Sequence, residues 1–311
     1  MDNLQTAVQD YLRLRRALGF QLNDPERYLR QFVSFLESRQ VSTLTAALAV
    51  EWATSKRSVQ PAHQAARLRA VRSFAKYYSG IEPNTEIPSV GVIPHRPQRA
   101  IPYIYSPEEV TTILQTAAGL SHRSELSRQT VVTVLAILSV TGMRIGEVMA
   151  LNQDDVDFCD ANLYINRTKF GKSRIVPVQR STAMALAEYG ELRDKVLGRR
   201  RTSNAFFATG EGRRAIQHTI RHAFVRITKQ IGIRGSDAPT GPRLHDFRHT
   251  FAVQTLIRWY RQGLDAEREF PKLSTYLGHR HWSDTYWYLT AVPELMALAT
   301  RRLERAFGGL A

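Results

Sequence analysis

Hydrophobic side chains recur every three to four positions through the first part of the chain, which is the period of amphipathic helices. The pattern predicts a helix over residues 4–18 that ends at Gly19, and a second helix that is capped by Asp24. Two more helices are predicted over 45–54 and 61–78. Residues 1–80 are therefore predicted to form a small helical domain.

The fourth predicted helix carries basic side chains beside its apolar ones. They are Arg67, Arg69, Arg72 and Lys76, and Lys56 and Arg57 lie in the loop before the helix. A basic face on a small helical bundle suits contact with a DNA backbone or groove. A solvated charged face explains the same pattern, so this segment leaves both interpretations open.

The helical pattern breaks over residues 81–105, where five prolines fall. The segment is also basic, with Arg96 and Arg99. Proline fixes φ and lacks an amide donor, so an extended linker is predicted here. Ser106 and Glu109 then have the spacing of a capping box, and a second domain is predicted over 106–311.

The second domain mixes helices with one pair of strands. A largely apolar segment over 129–140 predicts a buried helix. Alternation over 162–168 and 174–178 predicts a β-hairpin whose basic tip includes Lys169 and Lys172. Further helices are predicted over 183–197, 215–231 and 293–307. The fold class is therefore mostly α with a small β-hairpin, an α+β arrangement.

Charge and composition indicate the kind of partner that the protein binds. The 311-residue chain has a net charge of +15 and a pI of about 10.3, which favours a polyanionic partner, above all nucleic acid. The single cysteine fits a reducing compartment. The N-terminus lacks a signal-peptide pattern, and the apolar runs are short. We therefore expect a soluble, cytoplasmic, nucleoid-associated protein with no membrane partner.

Polar residues set among apolar ones mark candidate chemistry in the second domain. Arg144 and Glu147 lie one helical turn apart among apolar side chains. A guanidinium in such surroundings needs an anionic partner, which is either Glu147 or the phosphate of a ligand. His245, Arg248 and His249 share one side of a helix at positions i, i+3 and i+4.

The segment 277–290 adds histidines and aromatic residues. It holds His279 and His281 and then Tyr286 and Tyr288. A tyrosine among cations is a candidate nucleophile, because a phenol with a pKa of about 10 needs positive neighbours to react as phenolate. Taken alone, the segment favours a different interpretation, in which the aromatic rings form core.

In chain order, these motifs resemble the tyrosine recombinase (phage integrase) family. That family's catalytic domain carries a TGxR box, a hairpin lysine, an HxxR box, an LGH box and a tyrosine. Here they read Thr141-Gly-Met-Arg144, Lys169, His245-Asp-Phe-Arg248, Leu277-Gly-His279 and Tyr288. The resemblance covers about residues 106–292, departs from the family in a long charged segment at 258–272, and likens the N-terminal part to a core-binding domain.

The resemblance also selects between neighbouring candidates. Lys169 rather than Lys172 has the family's spacing before the second strand, and Tyr288 rather than Tyr286 has its spacing after the LGH box. Glu147 matches the acidic residue that follows the family's first arginine.

The resemblance implies a site-specific recombinase or integrase of a mobile element, which cleaves and rejoins DNA through a 3′-phosphotyrosine. Arg144 and Arg248 would hold the phosphate oxygens. His245 and His279 would donate or move protons, and Lys169 would protonate the leaving 5′ oxygen. No metal, ATP or other cofactor is then required.

The implied partners are double-stranded recombination sites, together with accessory recombinases or DNA-bending proteins. The protein is expected to be a free monomer that forms a tetramer on paired sites. The apolar stripe of 293–307 would dock this helix on a neighbouring subunit, although packing on its own domain explains the stripe equally well.

Other function classes fit parts of the sequence. A metallohydrolase would use His245 and His249 with His279 or His281 as a third ligand, but its general base would be Asp246 instead of the usual glutamate. A DNA-binding regulator on the same fold would have no use for a nucleophile. Topoisomerase-like relaxation shares the phosphotyrosine chemistry and would be a side reaction.

Overall fold

A computed structural model shows two compact units, residues 1–100 and residues 101–311. It describes the chain except for residues 1, 57–58, 96–100, 122–123, 167–172, 237, 239, 280, 282–284, 286–294, 298–299, 301–303 and 305–311. Each unit buries a hydrophobic core of its own.

The described residues of the first unit form four helices. They are α1 (Asp2–Ala17), α2 (Asn23–Ser38), α3 (Ala46–Thr54) and α4 (Pro61–Tyr78). Their apolar faces meet in one core, where Phe32 of α2 packs edge-on against Trp52 of α3 with ring centroids 5.3 Å apart. Phe74 of α4 likewise packs against Tyr11 of α1 at 5.7 Å.

Local signals set most of these helix ends. Gly19 follows α1 with a φ of 87°, a left-handed conformation that ends a helix. The Thr45 hydroxyl caps α3 by accepting a hydrogen bond from the amide of Leu48 at 3.2 Å. The prediction that Asp24 caps α2 is wrong: the helix already starts at Asn23, so Asp24 lies in its first turn, where a carboxylate is still favoured by the helix dipole.

Much of the proline-rich segment after α4 is bonded to the first unit. The amide of Glu86 donates to the Leu44 carbonyl at 2.9 Å, and its carboxylate accepts from the amide of Ala46 at 2.8 Å. Arg72 donates from Nε to the Pro88 carbonyl at 2.9 Å. Tyr105, by contrast, is buried in the core of the second unit.

Between residues 107 and 277, the described residues of the second unit form seven further α-helices. They are α5 (Pro107–Gly119), α6 (Glu125–Thr141), α7 (Ile145–Ala150), α8 (Arg180–Leu197), α9 (Gln217–Gln230), α10 (Asp246–Arg261) and α11 (Ala266–Leu277). Ser106 and Glu109 form the predicted capping box at the start of α5. α6 starts four residues earlier than predicted, because Ser124 caps it.

α11 was not predicted. Its sequence lies largely in the charged stretch 258–272 and contains Pro271. The stretch divides at Gly263, whose φ of 70° ends α10, and helix resumes at Ala266. Leu273 and Leu277 of α11 pack with α10 in a separate apolar cluster.

A three-stranded antiparallel sheet lies between α7 and α8 in the chain. Its strands are β1 (Val156–Asp157), β2 (Asn162–Ile165) and β3 (Arg174–Pro177), in the order β1-β2-β3. The predicted hairpin corresponds to β2 and β3, while β1 was not predicted. Leu163 pairs with Val176 and both side chains are fully buried. Residues 167–172, including Lys169 and Lys172, lie outside the described part of the chain.

Leu295 is the described residue of the predicted docking stripe. Its side chain is 1% exposed and packs in the cluster formed by α10 and α11 of the same chain. For Leu295 this contact agrees with the alternative, packing on its own domain, while docking of the stripe on a neighbouring subunit stays a prediction. The other stripe residues, Leu298, Leu303 and Phe307, lie outside the described residues.

The fold class is the predicted one, mostly helical with a small antiparallel sheet. Within the described residues, the longest helices are too short or too polar to cross a bilayer.

Candidate active site

The site is built around the carboxyl end of α11. The amide of Gly278 donates to the Thr275 carbonyl and that of His279 to the Ser274 carbonyl, both at 3.0 Å. This pair of bonds with a left-handed glycine, φ 68°, is a Schellman motif. Leu277 is 1% exposed and anchors the turn in the core. The sequence Leu-Gly-His is thus a helix end that sends His279 away from the helix.

Three consecutive carbonyls at this helix end accept hydrogen bonds from three arginines. Arg174 donates to Tyr276 at 2.9 Å, Arg248 to Leu277 at 2.7 Å, and Arg144 to Gly278 at 3.3 Å. The last carbonyls of a helix have no partner within the helix and lie at its negative end. This end therefore attracts cations, and it brings together arginines from α10, β3 and the start of α7.

Arg248 is held from both sides of the site. Its side chain is 1% exposed, and its Nη1 donates to the Gly142 carbonyl at 3.0 Å while Nη2 donates to Leu277. Gly142 caps α6 with a φ of 60°, and a Cβ there would lie 2.7 Å from the ring of Phe251. The glycine of the TGxR box is therefore required by the backbone and by packing.

Arg144 and Glu147 form the predicted pair, but Glu147 is shared. Arg144 donates to its carboxylate at 2.8 Å, and Arg174 donates two bonds at 3.1 and 2.8 Å. Burial is the largest single influence on Glu147 and acts to raise its pKa. The hydrogen bonds and charge of Arg174, together with the amide and charge of Arg144, outweigh it and lower this pKa to about 2. The Arg144 side chain keeps 35% of its surface exposed, whereas that of Arg174 keeps 11%.

Arg174 was missed by the sequence analysis, although a signal was present. It pairs with Ile165 across the hairpin, on the same face as the buried Leu163 and Val176. A charged residue at a core-facing position of a strand needs a specific partner. Alternation along β3 could therefore have indicated a buried ion pair.

The histidines differ in their surroundings. His245 immediately precedes α10, and its pKa is lowered by partial desolvation and by the adjacent charge of Arg248. Burial also lowers the pKa of His249 to about 4, and the two rings lie 4.9 Å apart and perpendicular. His279 contacts the Thr285 hydroxyl through Nδ1 at 2.6 Å, which fixes the orientation of its ring. Thr285 was not predicted as part of the site.

The other predicted catalytic residues, Lys169 and Tyr288, lie outside the described residues, as does Tyr286. In the described part of the chain, no three His, Cys, Asp or Glu side chains are grouped to hold a metal ion. Asp246, which the metallohydrolase interpretation needs as a base, is 1% exposed and accepts bonds from the Arg243 amide and guanidinium at 2.8 and 2.7 Å.

The predicted basic face in the first unit needs one correction. Arg69 and Lys76 are exposed, as is Lys56 in the preceding loop, and Arg72 is partly buried. Arg67, however, is 2% exposed, and its guanidinium lies 4.0 Å from the centre of the Trp52 ring.

Helix geometry gives the reason for this correction. At about 100° per residue, Arg67 lies roughly 200° around α4 from Arg69 and therefore faces the core. Burial lowers its pKa. The remaining predicted contacts, Arg57, Arg96 and Arg99, fall outside the described residues.

Comparisons with known proteins agree with this arrangement. The sequence matches the model of the "Phage integrase family" over residues 105–294. A Sinorhizobium fredii protein named "Putative integrase/recombinase y4rB" is 44% identical over 98% of each chain. The tyrosine recombinase XerC of Roseiflexus castenholzii is 29% identical over 84% of this chain and 79% of its own.

Solved structures share the fold at low sequence identity. XerH recombinase bound to a palindromic difH substrate superposes with a TM-score of 0.64 at 17% identity, covering 92% of this chain and 78% of that one. The Tn1549 transposon integrase in complex with transposon right end DNA gives 0.61 at 17% identity, over 96% and 98%. With a family match over most of the second unit and a relative that spans nearly the whole sequence, the chain belongs to the phage integrase family of tyrosine recombinases.

Proposed function

We propose that the protein is a site-specific DNA recombinase or integrase that breaks and rejoins strands through a 3′-phosphotyrosine intermediate. The observation that supports this most strongly is the meeting of Arg144, Arg248 and Arg174 at the turn that carries His279. Residues far apart in the sequence thereby concentrate positive charge beside an imidazole. Such a group suits a phosphodiester, whose oxygens accept bonds from guanidinium nitrogens.

The proposed nucleophile is Tyr288. Its phenolate oxygen forms a bond to the scissile phosphorus while the bond from phosphorus to the 5′ oxygen breaks. The leaving 5′ oxygen takes a proton from Lys169, the proposed general acid. In the rejoining step a 5′ hydroxyl attacks the phosphotyrosine and the tyrosine leaves. The phosphotyrosine keeps the energy of the original diester, so the cycle needs no ATP.

The arginines of the TGxR and HxxR boxes have different environments and, we infer, different tasks. Arg144 is partly exposed and can contact an incoming phosphate directly. Arg248 is almost fully buried, with both terminal nitrogens on carbonyls, so it supplies fixed positive charge beneath the phosphate. Preorganised charge of this kind stabilises the negative charge that develops in the transition state.

The two histidines of the site can carry the proton transfers of this reaction. His245 has a lowered pKa, so its imidazole is neutral near pH 7 and can accept the proton of the attacking tyrosine. His279 is oriented by Thr285 and can donate to a phosphate oxygen from its other ring nitrogen.

Trapping on a suicide substrate tests the proposal. A nicked recombination site loses its 5′ fragment after cleavage, so a covalent protein–DNA adduct accumulates and the modified peptide can be sequenced. We expect the adduct on Tyr288, and Tyr288→Phe should abolish it while DNA binding is kept. Tyr286→Phe is the matched control, because it removes the same hydroxyl two residues away. An adduct that persists in Tyr288→Phe and disappears in Tyr286→Phe would reassign the nucleophile.

We further propose that the first unit is a core-binding domain that grips the DNA backbone through Lys56, Arg69 and Lys76, which are exposed in the structure. This contact would place the protein at the nucleoid, in the cytoplasm. Each phosphate contact adds about 0.9 to the salt dependence of binding. A fragment of residues 101–311 should therefore bind more weakly and with a flatter salt slope. Unchanged affinity and slope would rule this grip out.

The proposed assembly is a tetramer on two paired sites, formed from free monomers. Exchange between two duplexes involves four scissile phosphates, and each needs its own tyrosine. Light scattering with one and with two DNA sites measures the assembly directly. Removal of residues 298–311, which spares Leu295, should prevent pairing of sites but not binding to one site. Full recombination by this truncated protein would exclude the terminal segment as the subunit connector.

A further inference from the structure

We infer that Arg174 is a positioning residue for strand cleavage, an inference that rests on the function proposed above. Within the described residues, its hydrogen bonds go to the Glu147 carboxylate and to the Tyr276 carbonyl. It fixes the base of the hairpin, the carboxylate of Glu147 and the end of α11 relative to one another. Because it shares Glu147 with Arg144, the partly exposed Arg144 guanidinium keeps donors for the phosphate.

The guanidinium of Arg174 joins three segments. It donates from Nε to the Tyr276 carbonyl at 2.9 Å, and from Nη1 and Nη2 to Glu147 at 3.1 and 2.8 Å. Tyr276 lies in the last turn of α11, Glu147 lies in α7, and Arg174 itself starts β3. A planar group that donates in two directions is suited to such a junction, and lysine cannot reproduce it.

The charges explain why the junction matters for catalysis. The Glu147 side chain is 7% exposed, so water contributes little to its solvation. Arg174 offers it two hydrogen bonds and Arg144 offers one from its side chain. Without Arg174, Arg144 would be the remaining cation beside a buried carboxylate. Its charge would then be taken up by Glu147 instead of by a phosphate.

The position of Arg174 in the hairpin adds a mechanical task. Among the described residue pairs of β2 and β3, the pair of Arg174 and Ile165 lies closest to residues 167–172, the segment that contains Lys169. The bond to the Tyr276 carbonyl therefore anchors the hairpin next to the segment that contains the proposed general acid. A displacement of about 1 Å in a reacting group can slow a reaction by roughly 10²-fold.

Gly278 leaves the space that Arg174 occupies. A Cβ at Gly278 would lie 2.9 Å from Nη1 of Arg174 and 3.1 Å from Cζ. The LGH glycine thus serves both the left-handed turn and the approach of this guanidinium.

Arg174→Met tests the inference in the full-length protein on a suicide substrate. At saturating protein, we expect the single-turnover cleavage rate to fall by about 10²-fold, with the Kd for DNA within about threefold of wild type. Arg174→Lys keeps the charge but not the planar arrangement of several N–H donors. Its cleavage rate should lie between those of wild type and Arg174→Met. A double variant with Glu147→Gln should lose less than the product of the two single effects, because Glu147 no longer competes for Arg144.

Arg193→Met is the matched control. The Arg193 side chain is 4% exposed and also donates two bonds to one carboxylate, that of Asp194, and one to a carbonyl, that of Phe206. We expect it to cost stability and to leave the cleavage rate of the folded fraction unchanged.

Three outcomes would overturn the inference. They are a cleavage rate of Arg174→Met equal to that of Arg193→Met, a loss of binding as large as the loss of rate, or strict multiplicativity with Glu147→Gln. If Arg174→Met does not fold, Arg174→Lys decides: a tenfold slower rate with normal binding supports the inference, and a wild-type rate refutes it. Absence of any adduct in the wild-type protein would instead refute the proposed function.

Discussion

Gly278→Ala is predicted to damage the active site beyond its effect on the helix end. Gly278 has a φ of 68°, and an added Cβ would meet the guanidinium of Arg174 at 2.9 Å. That guanidinium is the mobile end of its side chain, so it will shift before the backbone does. The shift has a cost, since the group is held by Glu147 and by the Tyr276 carbonyl.

Gly263→Ala is a matched control that measures the backbone strain alone, without a clash with an arginine. It ends α10 in the same motif, with bonds from Gly263 to Tyr260 and from Leu264 to Trp259 and a φ of 70°. A Cβ there would meet no atom within 4 Å. Alanine in a left-handed conformation costs about 1–2 kcal/mol at either site. The added loss at Gly278 is a charged hydrogen bond or more, about 1.5–3 kcal/mol.

Urea unfolding and single-turnover cleavage separate these contributions. Gly263→Ala should lower the free energy of unfolding by about 1–2 kcal/mol and leave cleavage intact. Gly278→Ala should lower it by about 2.5–5 kcal/mol and slow cleavage of the folded protein by roughly 10²-fold. Equal destabilisation and equal cleavage rates for the two variants would refute the reasoning that links Gly278 to Arg174.

Other sites give independent tests. Arg67→Met should change the free energy of unfolding by less than about 1 kcal/mol, because Nε and Nη1 of this buried guanidinium lack hydrogen-bond partners in the described part of the chain, and Arg69→Met should reduce the salt slope of DNA binding by about 0.9. The pKa of His249 is about 4 in the folded protein against 6.5 ordinarily, so the unfolded state binds more protons between these values. Stability should therefore fall by up to about 3 kcal/mol as the pH is lowered from 6.5 to 4, and His249→Asn should flatten the measured profile. Leu295→Ala should cost about 2–5 kcal/mol in urea unfolding, whereas Met296→Ala, at a side chain 54% exposed, should stay within about 0.5 kcal/mol.

The sequence was informative wherever a local rule determines the structure. Ser106 and Glu109 predicted a capping box, and the structure contains it. Apolar periodicity predicted the four helices of the first unit, and alternation predicted the pair of β2 and β3. Such signals reside within a few residues of one another, so no knowledge of the tertiary structure is needed to interpret them.

The sequence was less informative where the outcome depends on distant contacts. Arg67 was assigned to the exposed face of α4 because of its basic neighbours, yet the aromatic ring of Trp52 in another helix accommodates it in the core. The charged sequence around Pro271 concealed α11, which is stabilised by packing on α10. Arg174 gains its partners from α7 and α11, neither of which adjoins β3 in the chain.

The end of α11 explains why motifs so far apart in the sequence occur together. Three consecutive carbonyls at this helix end, those of residues 276–278, each accept a bond from one arginine. This places three guanidiniums where mutual repulsion alone would separate them. Glu147 neutralises one of these charges, and the two that remain exceed the single charge of a phosphodiester. Two negative charges are reached only when an oxygen nucleophile adds to the phosphorus. On the proposed mechanism, the charge of these described side chains would therefore match the transition state better than the bound substrate, which is the condition for accelerating the chemical step.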